Sequence, residues 1–473
     1  MIGRKEEISV LEDCLRSKRP EFLIVYGRRR VGKTYLVREY FNHRFSFYAT
    51  GISGQNTKKQ IKVFHEALSE YGDTSEKPPA DWIEAFSRLR KVLEKKDVIR
   101  EQQSGKRVIF LDELPWMDTA RSDFKSALDY FWNSYGSAQK DLLLIACGSA
   151  TSWIIDNIVR DTGGFYHRIT RQIHLQPFSL GECMQLLEAN GMQMSHRQII
   201  ESYMVFGGVP YYLNYLKPSL SLAQNIDVLF FGENSPLKYE FDHLFSSLYK
   251  NAGRYTDIIR ALHKKRGGLT RQQLAGIRGI VQGKELTKCL KELEQCGFVR
   301  KYNDFTTPKN GCHFQLTDAL SLFHLSFLEH QKAESWLEYI HTPGYYAWCG
   351  LAFERVCLQH TRQIKSALGI AGISSHEYAW KSKKASPGAQ VDLLIDRKDD
   401  VINLCEIKYT AEVFQIDVSY HRELVHKTET FREETRTKKA ILLTMISCEG
   451  IRQNKYSNIV VKELTGNDLF GHD

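Results

Sequence analysis

Three groups of residues in this 473-residue chain have types and spacings that suit phosphate chemistry. The first is GRRRVGKT, where Gly27, Gly32, Lys33 and Thr34 fit G-x-x-x-x-G-K-[ST]. Glycines in such a loop let successive backbone N–H groups point at phosphate oxygens, and the helix that follows presents its positive end to the same anion. Lys33 is then placed to reach the β and γ phosphates, and the Thr34 hydroxyl to hold Mg²⁺. The second group is Asp112-Glu113 in RVIFLDEL, with Asp112 suited to hold Mg²⁺ through its water shell and Glu113 to act as base towards the attacking water. The third is Asp392, Glu406 and Lys408 in the pattern D-x13-E-x-K. Asp392 and Glu406, joined by Glu354, could hold one or two Mg²⁺ ions, with Lys408 orienting water or stabilising charge on phosphate.

Such residues need elements that hold them. Phe22–Tyr26 is an apolar run of strand length leading into the glycine loop, and Val108–Leu111 is another that delivers Asp112 and Glu113 at its carboxyl end, where parallel α/β sheets place ligands. Helical spacing of apolar residues marks 5–17, Thr57–Tyr71 and Asp81 to about Lys96, and 44–50 alternates like a strand. A third apolar run, Leu142–Ala146, ends in CGSATSW; Ser149 there is placed to sense the γ-phosphate, or equally to serve an ordinary turn. Further on, Arg168 in GGFYHRIT is a candidate arginine finger, a surface or structural arginine being the other reading.

The ordered set VYGRRRVGKT, FLDELPW, ACGSATSW, FYHRI and LQPFSLGE resembles the prokaryotic archaeal-type ATPases, a branch of the STAND division related to AAA+ proteins. The resemblance implies ATP as ligand, with Arg28, Arg29, Arg30, Val31 and Tyr35 sharing the nucleotide loop with the motif residues. It also implies that Pro210, in Gly207-Gly208-Val209-Pro210, sits in a helical lid and approaches the nucleotide. The chain departs from its relatives at His167, where glycine often precedes the arginine.

Residues 178–245 have the pattern of amphipathic helices, consistent with that lid. Between 254 and 318 the order is three helices and then two strands, Phe298–Tyr302 and His313–Leu316, around the turn TPKNG, which suggests a winged helix. Leu286, Leu290 and Leu293 make one stripe of its third helix, and Lys284, Lys288 and Lys291 another. With the leucines in a core, the lysines suit phosphate contact in a DNA groove, or a solvated face of a protein-contact module. After Pro343-Gly344 a further domain begins. Val391–Ile395 and Ile402–Ile407 form a hairpin around RKDD, with Glu406 and Lys408 on one face. Together with the helix bearing Glu354, this resembles the PD-(D/E)XK nuclease fold, with Val391 in place of the motif's proline.

The expected chain is therefore a multidomain α/β protein: a parallel-sheet P-loop core over 1–175, a lid over 176–245, a winged helix over 246–330 and a nuclease-like domain over 340–473. Its expected cofactors are ATP and Mg²⁺. DNA is the expected partner, with a homo-oligomer or a protein partner left open. The alternative is an ATP-dependent switch whose nuclease fold only binds. Composition permits this: 42% hydrophobic and 26% charged residues are ordinary for a globular protein, and a net charge of +9 tolerates a nucleic-acid partner. The polar start and the lack of any apolar run of membrane-spanning length predict a cytoplasmic chain without a membrane partner. Ten scattered cysteines without C-x-x-C pairs predict reduced thiols, and no histidine pattern suggests a zinc site.

Overall fold

A computed structural model describes all residues except 150, 160–167, 307–311, 331–332 and 472–473. The expected turn TPKNG and His167 lie outside the described residues. The chain divides into two compact units, Met1–Gln176 and Pro177–Asp473.

In the first unit, β1 (Glu21–Tyr26), β2 (Phe47–Thr50), β3 (Arg107–Asp112), β4 (Leu142–Gly148) and β5 (Arg171–His174) form one sheet in the order β2-β3-β4-β1-β5. Every pair is parallel. β3 and β4 are buried along their whole length and β1 along all but its last residue. That burial matches their continuous apolar sequence, since a parallel sheet is covered by helices on both faces. One face packs Phe64, Trp82, Phe86 and Phe124, and the other packs Leu36, Val37, Phe45 and Phe110. Because β4 lies between β1 and β3, the carboxyl ends of all three sit side by side. Residues far apart in sequence therefore meet at one edge.

The second unit opens with helices, each of Leu180–Ala189, His196–Phe206 and Leu222–Phe230 started by a serine capping box. Next come helices Ala252–His263, Arg271–Ala275 and Gly283–Gln295 and a small antiparallel sheet, β6 (Leu269–Thr270), β7 (Val299–Asn303) and β8 (Cys312–Leu316), ordered β6-β8-β7. In the last of these helices Leu286, Leu290 and Leu293 are buried, Lys284 and Lys288 are exposed, and Lys291 is half-buried.

Beyond helix Pro343–Gln359 lies a mixed sheet. It contains β9 (Ser375–Lys381), β10 (Gln390–Arg397), β11 (Val401–Lys408), β13 (Ala440–Ser447) and β15 (Lys462–Thr465), in the order β15-β13-β11-β10-β9. β12 (Phe414–Gln415) and β14 (Ile451–Arg452) pair separately. β9, β10 and β11 are antiparallel, while β13 runs parallel to β11 through the crossover helix Val418–Thr435. That helix buries Leu424 and Phe431 against Leu394, Ile402 and Leu404. The chain leaving β7 continues the small sheet onto β9: Asp304 bridges Ala379, and the Phe305 N–H donates to the Ala379 carbonyl at 2.9 Å. No helix among the described residues is long and apolar enough to cross a membrane.

Candidate functional site

The loop after β1 turns because Gly27 has φ 152° and Gly32 φ 92°. A Cβ on Gly27 would stand 2.2 Å from the Leu175 carbonyl oxygen, so no other residue fits there. Arg28 is buried, Arg29 and Arg30 are half-buried, and Arg30 takes φ 73°. Val31 sinks its side chain into the core, and its carbonyl accepts from Arg4 Nη2 at 3.0 Å, which anchors the loop from the first helix. Tyr35 is exposed. Helix Lys33–Tyr40 begins directly at the motif lysine. The buried Lys33 Nζ donates to the carbonyls of Gly27 at 3.0 Å and Arg28 at 2.9 Å, inside the curl of the loop where an anion would sit.

Across the sheet edge, the Thr34 hydroxyl lies 3.1 and 3.0 Å from the Asp112 carboxylate oxygens. Asp112 also accepts from the Glu113 N–H at 3.0 Å and the Cys147 thiol at 2.6 Å. Burial keeps that thiol's pKa well above its ordinary value, so Cys147 is a donor there and not a nucleophile. Glu113 has φ 47°, a left-handed conformation rare for a non-glycine residue. Its carboxylate accepts from the Ser149 hydroxyl at 2.5 Å and the Ser149 N–H at 3.1 Å. Thr34, Asp112, Glu113 and Ser149 thus form one connected group beside Lys33. A hydroxyl and a carboxylate are a donor set for a hard divalent cation that keeps several waters, so this group fits Mg²⁺. The sequence did not single out Cys147. Its only signal was its place at the end of β4, next to β3.

Arg168 is exposed in a turn ahead of β5. Pro210 belongs to the second unit, at the first position of the short helix Pro210–Leu213. The preceding Gly208 is pressed against Phe178, whose carbonyl oxygen would lie 1.9 Å from an added Cβ.

The C-terminal residues are arranged differently from the expectation. Among the described residues no three acidic, histidine or cysteine side chains gather into a group able to hold a metal ion, so Glu354, Asp392 and Glu406 do not form the expected trio. Glu406 is buried on the side of the crossover helix, accepting from Tyr420 Oη at 2.7 Å and Lys427 Nζ at 2.6 Å. Lys408 Nζ sits 4.8 Å from the centre of the same tyrosine ring. Asp392 instead lies where the register of β10 on β9 shifts between Val391 and Leu394, and accepts from Gln390 Nε2 at 2.6 Å. A bulge of this kind re-aims a side chain. Glu354 pairs with Arg355. Burial pushes its pKa up to about 7, the charge of Asp392 adds to this, and Arg355 and Arg300 oppose it. Glu354 and Asp392 therefore interact electrostatically, and Glu406 is paired with Lys427 and Tyr420. Sequence spacing could not foresee the bulge or Lys427, because both depend on neighbouring elements.

Residues 1–216 match the family model described as an ATPase domain predominantly from Archaea. The match supports an ATPase domain in this part of the chain and, with it, nucleotide binding. An uncharacterized protein of Methanocaldococcus jannaschii is 24% identical over 305 residues, 64% of this chain and 63% of that protein. This chain thus spans less than two thirds of that relative's length. An uncharacterized ATP-binding protein of the same organism is 40% identical over 43 residues, 9% of this chain and 73% of that protein. Among solved structures, a Walker-type ATPase of Pyrococcus abyssi is similar at a TM-score of 0.47 and 19% identity, over 69% of this chain and 96% of that one. The ORC2 protein of Aeropyrum pernix is similar at a TM-score of 0.42 and 13% identity, over 68% of this chain and 92% of that one.

Proposed function

We propose that the protein is a Mg²⁺-dependent ATPase whose second unit engages DNA. The observation that carries the ATPase reading is the joined set Lys33, Thr34, Asp112, Glu113 and Ser149 at the carboxyl edge of the parallel sheet. Lys33 leaves the loop carbonyls for the phosphates of ATP, and the loop N–H groups close on the same oxygens. Thr34 and Asp112 would hold Mg²⁺, which would supply charge neutralisation at the phosphates. Glu113 takes the proton of the attacking water, and Ser149 keeps its carboxylate aimed until the nucleotide arrives. Arg28, Arg29, Arg30 and Tyr35 line or flank the nucleotide loop. Arg168 serves as finger, and Pro210 approaches the nucleotide from the lid, 176–245. Phosphate release from ATP with and without Mg²⁺, in the wild type and Lys33→Ala, tests this reading. Equal rates in the two proteins would sink it.

DNA engagement rests on 246–330 being a winged helix. Its support is the order of helices and strands, with Lys284 and Lys288 exposed on the opposite side from the buried leucines. Residues 340–473 are read as PD-(D/E)XK-like from the helix carrying Glu354, the antiparallel β9–β11 and the parallel return to β13. A second reading is that this module binds without cutting. It is favoured by the placement of Glu406 on Lys427 and of Glu354 on Arg355. Cutting would require Glu406 to leave Lys427 for a metal alongside Asp392, with Lys408 at the phosphate. Incubation with plasmid, Mg²⁺ and ATP separates the two readings: cleavage that Lys408→Ala abolishes supports a nuclease, and an intact plasmid supports binding alone.

A further inference from the structure

Where β7 hands over to β9, the second unit encloses a cleft of about 470 Å³ that none of the motifs accounts for. One wall is the turn Lys265–Gly268 and the other is the end of β9 with Lys381. Lys265, Arg266 and Lys381 are exposed cations on its rim, with Asp304 the one acid among its lining residues. The Tyr302 and His313 rings, stacked at 5.4 Å and 18°, lie within it. Gln390 also lines it and donates to Asp392.

The walls are fixed. Gly268 has φ 72°, and a Cβ there would meet the Phe314 carbonyl oxygen at 2.3 Å, so the turn lies tight on β8. The Arg266 carbonyl accepts from Gln315 Nε2 at 2.6 Å and Arg355 Nη2 at 2.7 Å, and Tyr302 Oη donates to the Gly267 carbonyl. The cleft is therefore held in shape by the β8 strand and the helix that carries Glu354.

We infer that this cleft takes a single strand of nucleic acid, with its phosphates between Lys265 and Lys381, a base against the Tyr302–His313 pair, and its path leading towards Asp392. The inference rests on the proposed DNA-engaging role of the second unit and names the substrate form and the place that unit would use. Cations flanking an aromatic surface are the chemistry that binds a strand irrespective of sequence. The cleft has the size of a pocket for a single ligand unit and is too small to admit a duplex. It is distinct from the Lys284 and Lys288 face, which suits duplex phosphates.

The test uses the full chain and fluorescence anisotropy with a labelled oligodeoxythymidylate and a labelled duplex across a salt series. Lys265→Ala with Lys381→Ala removes two phosphate contacts, so the salt slope for the single strand falls by about 1.4 while duplex binding is unchanged. Both side chains are exposed, so the melting temperature stays that of the wild type, and the double Lys→Arg variant keeps the original slope. Lys284→Ala with Lys288→Ala weakens the duplex and leaves the single strand alone. An unchanged single-strand slope in the Lys265, Lys381 variant overturns the cleft, as does displacement of the oligonucleotide by polyglutamate at equal charge. Binding of duplex alone overturns the cleft and spares the DNA reading. Binding of neither form at low salt overturns both.

Discussion

Glu113→Gln separates nucleotide binding from hydrolysis, and the structure sets what each should do. The wild-type carboxylate accepts both the hydroxyl and the N–H of Ser149. In the variant the amide oxygen can take the N–H, and the amide group can donate to the serine hydroxyl once that hydroxyl rotates. Both contacts survive without their charge, and folding loses on the order of 1 kcal/mol. Loss of the base removes roughly 10²- to 10⁴-fold in rate, or about 2.7–5.4 kcal/mol of barrier. The assay pairs phosphate release at saturating ATP and Mg²⁺ with thermal unfolding. At a hundredfold excess over Kd, ATP stabilises a binding-competent protein by about 2.7 kcal/mol, roughly 5–11 °C for a unit of this size. The expected variant is thus protected by ATP to the same degree as wild type and nearly inert in hydrolysis. A rate within tenfold of wild type, with ATP protection intact, would refute the role of Glu113 as base.

Gly27→Ala should abolish the ATP-dependent rise in melting temperature, because its Cβ would lie 2.2 Å from the Leu175 carbonyl oxygen and the loop cannot keep its curl; protection equal to wild type would contradict this. Lys427→Met strands the buried Glu406 and should cost about 3–5 kcal/mol in urea unfolding, with most of that regained when Glu406→Gln is added; no recovery in the double variant would show that the pair is not the cause. His360 is buried, accepts the Leu180 N–H at Nε2 (3.0 Å), and is close enough to donate from Nδ1 to the Val356 carbonyl (2.8 Å), and burial lowers its pKa from 6.5 to about 4. A depressed histidine pKa gives stability that is present above pH 6.5 and is lost as pH falls towards 4. That loss should reach about 3 kcal/mol, and His360→Gln should flatten this limb of the stability profile; an identical limb in the variant would assign the acid sensitivity elsewhere.

Local pattern was a good guide wherever a segment's neighbours did not matter. Glu21–Tyr26, Thr57–Glu70, Arg107–Asp112 and Gly283–Gln295 form where apolar runs and helical spacing place them. Other elements left weak local signals. β5 and β15 are four residues each, and β9 alternates only partly between buried and exposed residues. Helix Val418–Thr435 carries charge on most of its surface and buries only Leu424, Lys427, Thr430 and Phe431.

The glycine-lysine loop and the Asp112-Glu113 pair were determined by sequence alone, because each is set by residues a few positions apart: a strand's end, a turn only glycine can make, a helix's start. What only the tertiary structure decided was which distant groups those residues meet. The insertion of β4 between β1 and β3 delivers Cys147 to Asp112 and Ser149 to Glu113. In the C-terminal sheet the same dependence works against the motif. Lys427 from the crossover helix occupies Glu406, and Arg355 occupies Glu354, although spacing alone offered both carboxylates to a metal. Spacing along a chain fixes the conformation of short segments, whereas a polar side chain's partner is fixed by the packing of elements that the spacing does not contain.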